Sequence, residues 1–111
     1  MAYYKVEEKD NGYQVVMRDY EGNTKTLGKY TEVKQARDVE SLLSMVESVW
    51  CYSGSLKNNR YIEKYCTDRA FPYDKMREIA TNHWAYLNEN YYTAYAGTDS
   101  EGVSYNTIKH K

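Results

Sequence analysis

The chain has 111 residues and a mass of 13.1 kDa, enough for one domain around one core. Lys plus Arg number 15 and Asp plus Glu 16, a formal charge of −1, which argues against a simple polycation wrapped on nucleic acid and against an acidic DNA mimic. No run of 18 apolar residues exists and the opening Met1–Lys5 lacks a secretion signal's apolar segment, so a cytoplasmic globular protein with no membrane association is expected.

In chain order, Tyr3–Lys9 and Tyr13–Asp19 have strand composition, and Asp10-Asn11-Gly12 between them carries the Asn-Gly hairpin signal. A second turn, Tyr20-Glu21-Gly22-Asn23, leads to a third strand, Thr24–Tyr30. Connections this short permit only an antiparallel meander. Thr31 is an N-cap candidate, with Glu32 in the following turn. Val33, Ala36, Val39, Leu43, Val46 and Trp50 then recur at steps of three and four, predicting an amphipathic helix over about 32–50 that covers one face of the sheet. Ser53-Gly54-Ser55 and Asn58-Asn59 mark a boundary, and a short helix near 56–67 buries Ile62, Tyr65 and Cys66. Pro72 opens the longest helical pattern, 73–96, with Gly97 as its stop. In the polar tail, 98–111, weak alternation at Val103, Tyr105 and Thr107 is open to two readings, a last edge strand or no regular structure.

The fold class expected is α+β: a three-stranded antiparallel β-meander packed on an α-helix, followed by a helical C-terminal half. One compact domain divides into the sheet plus helix (1–50), a helical extension (51–97) and the tail (98–111). Side chains alternate along strands, so Val15, Met17 and Leu27 are set to face the helix. The reverse face is then Tyr4, Val6 and Glu8, with Gln14, Val16 and Arg18, and Thr24 and Thr26. Apolar residues on both sides of Val15-Val16-Met17 predict a sheet covered on both faces, with the second half as the cover.

The corner Leu27-Gly28-Lys29-Tyr30, the early helical Ala36 and the aromatic-led central strand from Tyr13 resemble the Apetala/ethylene-response-factor-type DNA-binding domain and its relatives, the arm-binding domains of phage integrases. The likeness covers about residues 3–50. It implies origin in a phage or other mobile element, and a sheet whose helix-free face enters the major groove. On the reverse face assigned above, Arg18 is the one cation and Glu8 opposes it, so the family's basic surface is largely missing.

Nothing in the sequence points to catalysis. His83 lies on the apolar stripe beside Trp84 and reads as a core residue; His110 is flanked by Lys109 and Lys111 in the tail. Cys51, Cys66, His83 and His110 include no closely spaced ligand pair, so no metal is expected. The cysteines read as buried apolar residues, with a disulfide left open. Glu7 and Glu8 point to opposite faces of a strand, and no phosphate-binding glycine loop is present. No cofactor and no small-molecule substrate are expected.

Fourteen tyrosines against one phenylalanine suit half-buried positions and contact surfaces alike. Lys57, Arg60, Tyr61 and Tyr65 around the short helix mix cations with aromatics, and Tyr86 and Tyr92 fall off the stripe of the long one. Candidate contact residues are therefore Gln14, Arg18, Thr24, Thr26, Lys57, Arg60, Tyr61, Tyr65, Tyr86 and Tyr92. Small size, balanced charge and the missing basic face favour a non-catalytic inhibitor or adaptor directed at a host nuclease or nucleoprotein complex, of anti-CRISPR or anti-restriction type. The alternative is a small DNA-binding protein that uses the arm-like sheet.

Overall fold

A computed structural model describes residues 3–18, 22–53, 56, 60–67 and 69–111, with the backbone alone for 52, 53, 93–96 and 104–110. The fold is α+β. Strands β1 (Tyr3–Lys9), β2 (Gly12–Arg18) and β3 (Thr24–Tyr30) form an antiparallel sheet in the order β1-β2-β3. Helices α1 (Val33–Ser53), α2 (Arg60–Thr67) and α3 (Tyr73–Asn90) follow, then a hairpin of β4 (Tyr91–Thr98) and β5 (Ser104–His110).

The first turn sets the register of everything that follows. Its two central residues are Asp10 and Asn11, both at positive φ (53° and 62°), the backbone a two-residue hairpin needs. Gly12 is already the first residue of β2 and pairs with Lys9. A two-residue loop therefore places even residues of β1 opposite odd residues of β2: Tyr4 faces Met17, Val6 faces Val15 and Glu8 faces Tyr13. Tyr4, Val6 and Glu8 thus lie on the helix side, and Tyr3, Lys5, Glu7 and Lys9 take the places expected for them.

Helix α1 is shared by two cores. Ala36, Val39 and Leu43 close on Val15, with Val6, Leu27 and Tyr30 around them, while Leu42 and Val46 face Ile62, Met76, Ala80, Leu87 and Tyr91 from the second half. Phe71 and Ile79 touch both clusters. Buried Asp38 joins the layers: its carboxylate accepts from the Ala70 amide at 3.0 Å and its backbone carbonyl from the Tyr65 hydroxyl at 2.8 Å. The second half packs on α1 rather than across the sheet, so the two-sided covering expected from Val15-Val16-Met17 does not occur. Val16 is 9% exposed because it is the middle residue of the central strand, flanked by Lys5 and Thr26.

A bulge between Val15 and Val16 lets both Leu27 and Gly28 sit opposite Val15. Gly28 is needed there for space: the Tyr30 ring lies across it, where a Cβ would meet the ring atoms, and Tyr30 in turn packs edge-on against Phe71 at 5.4 Å. Gly28→Ala displaces that ring and is expected to cost about 1–3 kcal/mol in chemical denaturation, as overpacking does; an unchanged midpoint would show the corner to be loose.

Helix α3 ends at Asn90, six residues before the expected 73–96 limit, and Gly97 lies within β4. Asn90 turns its side-chain amide back to the Tyr86 carbonyl at 2.9 Å, and Tyr91 becomes extended (φ −132°, ψ 159°). Five of the eight residues of β4 are Tyr or β-branched, and their strand preference beats the helical spacing. The tail beyond it is β5, paired with β4 from Tyr91–His110 to Thr98–Ser104. Asp99 closes this hairpin by accepting from the Glu101 and Val103 amides at 2.9 Å, and Gly102 supplies the positive φ of 83°. Cys51 and Cys66 are free thiols, and burial raises the pKa of both. Among the described residues no helix is long and apolar enough to cross a membrane.

Candidate nucleic-acid interface

The face of the sheet turned away from α1 carries Tyr3, Lys5, Glu7 and Lys9 from β1, Gln14, Val16 and Arg18 from β2, and Thr24, Thr26 and Lys29 from β3. Lys5, Lys9, Arg18, Thr24, Thr26 and Lys29 are exposed, and among the described residues no helix or hairpin packs on this face. Four cations therefore share one surface with a single carboxylate, which leaves the remainder of a chain of net charge −1 acidic.

That carboxylate is tied down. Glu7 accepts from the Gln14 side-chain amide at 3.1 Å and sits 3.4 Å from the Lys5 ammonium; these two contacts, Gln14 first, hold its carboxyl below the usual carboxylate range. Gln14, 7% exposed, is thereby a fixed polar rung in mid-sheet. At the far end Tyr3, Lys5, Glu7, Val16, Arg18 and Thr24 line a hollow of about 380 Å³, two cations and one carboxylate around an apolar Val16.

The ten expected contact residues separate. Gln14, Arg18, Thr24 and Thr26 come together on this face. Lys57 lies outside the described residues. Arg60 and Tyr61, the latter 76% exposed, stand on α2, which packs on α1 and α3. Tyr65 is a core residue, buried by the same α2 stripe that buries Ile62 and Cys66. Tyr86 is half-buried between His83, stacked at 5.9 Å, and the Lys25 ammonium, 4.6 Å from its ring centre. Tyr92 is exposed, on β4 rather than on a helix. The even-with-even register leaves Tyr3, Lys5, Lys9 and Lys29 off this face; counting outward from a two-residue Asp10-Asn11 loop finds the first three, and the bulge opposite Val15 brings in Lys29.

Behind the sheet, a buried polar cluster holds β1 to both long helices. The Tyr4 hydroxyl donates to Glu47 Oε2 at 2.6 Å and lies 2.8 Å from His83 Nε2. Tyr4 has one proton, and the short bond to Glu47 takes it. His83 must therefore donate through Nε2–H, which fixes its tautomer. Glu47 is 1% and His83 5% exposed. Burial, then the Lys25 charge, push the His83 pKa from 6.5 down to about 4, so the ring is neutral at pH 7. Burial, then the Glu47 charge, raise that of Tyr4. The cluster ties β1 to α1 and α3, with one proton on the Tyr4 hydroxyl and one on His83 Nε2. Tyr4→Phe leaves the Glu47 carboxylate and His83 Nε2–H short of a partner and is expected to cost about 2 kcal/mol of unfolding free energy; a loss below a few tenths would mean that water takes the hydroxyl's place. Among the described residues no group of three His, Cys, Asp or Glu is placed to hold a metal ion.

No protein-family model matches this chain, and no curated protein or solved structure is found to be similar to it.

Proposed function

We propose that the chain is a non-catalytic binding protein that grips duplex DNA with the helix-free face of its three-stranded sheet. The carrying observation is the register: the two-residue first turn places Tyr3, Lys5 and Lys9, and the bulge opposite Val15 places Lys29, on the face of Arg18, Thr24 and Thr26, which no described element covers. Phosphate neutralisation supplies the sequence-independent share of DNA affinity, and hydroxyl and amide side chains between the cations supply hydrogen bonds to backbone and base edges. The preference for a protein-directed inhibitor leaned on a reverse face with one arginine; with four cations there, that reason falls away. One observation still favours an inhibitor or adaptor, the exposed tyrosines on other surfaces, Tyr61 above all.

One titration separates the two. Binding to a labelled 20-base-pair duplex, followed by anisotropy at several salt concentrations, is expected to weaken with a log–log slope of about −3, the signature of three to four phosphates engaged. No binding at low salt would remove the DNA reading, and capture of a host protein that survives nuclease treatment would then support the inhibitor.

A further inference from the structure

Helix α3 and strand β3 both pack on α1, yet they make little contact with each other. The gap between them is a cleft of about 270 Å³, open to solvent on one side. Protein interiors are otherwise packed to the density of organic crystals, so a gap of this size between well-packed elements has room for something besides side chains. Its floor is apolar, made by Val39 and Leu43 of α1 and Ile79 of α3, and Tyr86 forms an aromatic wall.

The mouth has one charge. Lys25 reaches over the Tyr86 ring, and among the described residues no carboxylate pairs with its ammonium. No acidic side chain lines the cleft. The other titratable group there, His83, is neutral at pH 7 and has its Nε2–H committed to Tyr4, which leaves Nδ1 as an acceptor. A divalent anion would meet one cation against an acceptor nitrogen, and a cation would meet Lys25 head-on. An uncharged ring would leave the ammonium without a counter-charge.

We infer that this cleft binds a small planar aromatic monoanion, its one or two rings on the apolar floor beside Tyr86 and its carboxylate at Lys25. The volume sits just below the span of ordinary ligand pockets, roughly 300–1,000 Å³, which limits the occupant to that size. This site opens on the helix side of β3, shares only Thr26 with the proposed DNA face, and uses none of that face's cations, so either can fail alone.

The test uses the full chain with its methyl groups labelled for NMR, titrated with indole-3-acetate and, separately, with the uncharged indole-3-acetamide. Saturable shifts of the Val39, Leu43 and Ile79 methyls are expected with the acetate. Binding should be roughly fivefold weaker for the acetamide and for the acetate on Lys25→Gln, the worth of one partly exposed ion pair. Lys25 is exposed, so its substitution leaves the fold intact. Absence of saturable shifts, shifts confined to other methyls, or equal affinity for acetate and acetamide would each overturn the assignment.

Discussion

Acidification from pH 6.5 to 4 is expected to remove about 3 kcal/mol of folding stability through His83 alone. In the unfolded chain this imidazole takes a proton near its ordinary pKa of 6.5, whereas in the fold it stays neutral until about 4. Between those values the unfolded state binds more protons than the native one, so stability rises with pH across the window and falls as acid is added. Below about 4 both states are protonated and the loss is complete. The cause is local: the ring is buried, Lys25 is the charge that opposes it, and the Tyr4 hydroxyl it meets already donates its hydrogen bond to Glu47. Urea unfolding at half-unit pH steps measures the effect, and His83→Gln isolates it, because glutamine can still donate to Tyr4 but has nothing to titrate. If the two proteins lose stability in parallel between pH 6.5 and 4, the ring is not held neutral.

This same residue shows what could and could not be read from the chain. His83 on the apolar stripe of a long helix is legible as a core residue, because a histidine at that spacing is carried inward with Met76, Ala80 and Leu87. Its partners were not legible: Tyr4 lies 79 residues from it and Glu47 lies 43 residues from Tyr4, and only folding brings the three together. The three-strand meander and α1 follow from short-range signals, alternation, tight turns and a change of period at Val33. The end of α3 does not, since Tyr91, Tyr92 and Tyr95 fit a helix by spacing and a strand by shape, and pairing with β5 decided between them. The candidate surface turned on two details of register. Taking Asp10-Asn11-Gly12 as the loop hides Lys5 and Lys9, and placing Gly12 in the strand reveals them; Lys29 joins them through the bulge opposite Val15.

Arg18→Ala together with Lys29→Ala is expected to flatten the salt dependence of DNA binding by about two, from roughly −3 to roughly −1, because each lost phosphate contact removes about one unit of slope. At low salt the affinity should fall at least about tenfold, since Arg18 loses its forked donor as well as its charge. Both side chains are exposed, and substitution of exposed residues ordinarily shifts stability by no more than about 0.5 kcal/mol, so a binding loss cannot be put down to unfolding. Lys29 lies beside Gln14 and Arg18 beside Thr24, so the pair samples both ends of the face. Arg60→Ala is the contrast. It is exposed on α2, carries the same charge as Arg18, and belongs to the cation-and-tyrosine group that the sequence nominated for nucleic acid. If the sheet is the interface, Arg60→Ala leaves the slope at its starting value. If it flattens the slope and the double substitution does not, the backbone is tracked along α2 and the open face of the sheet has lost its claim. The two outcomes differ in one number measured on three proteins, and that number depends on charge placement alone, not on any particular DNA sequence.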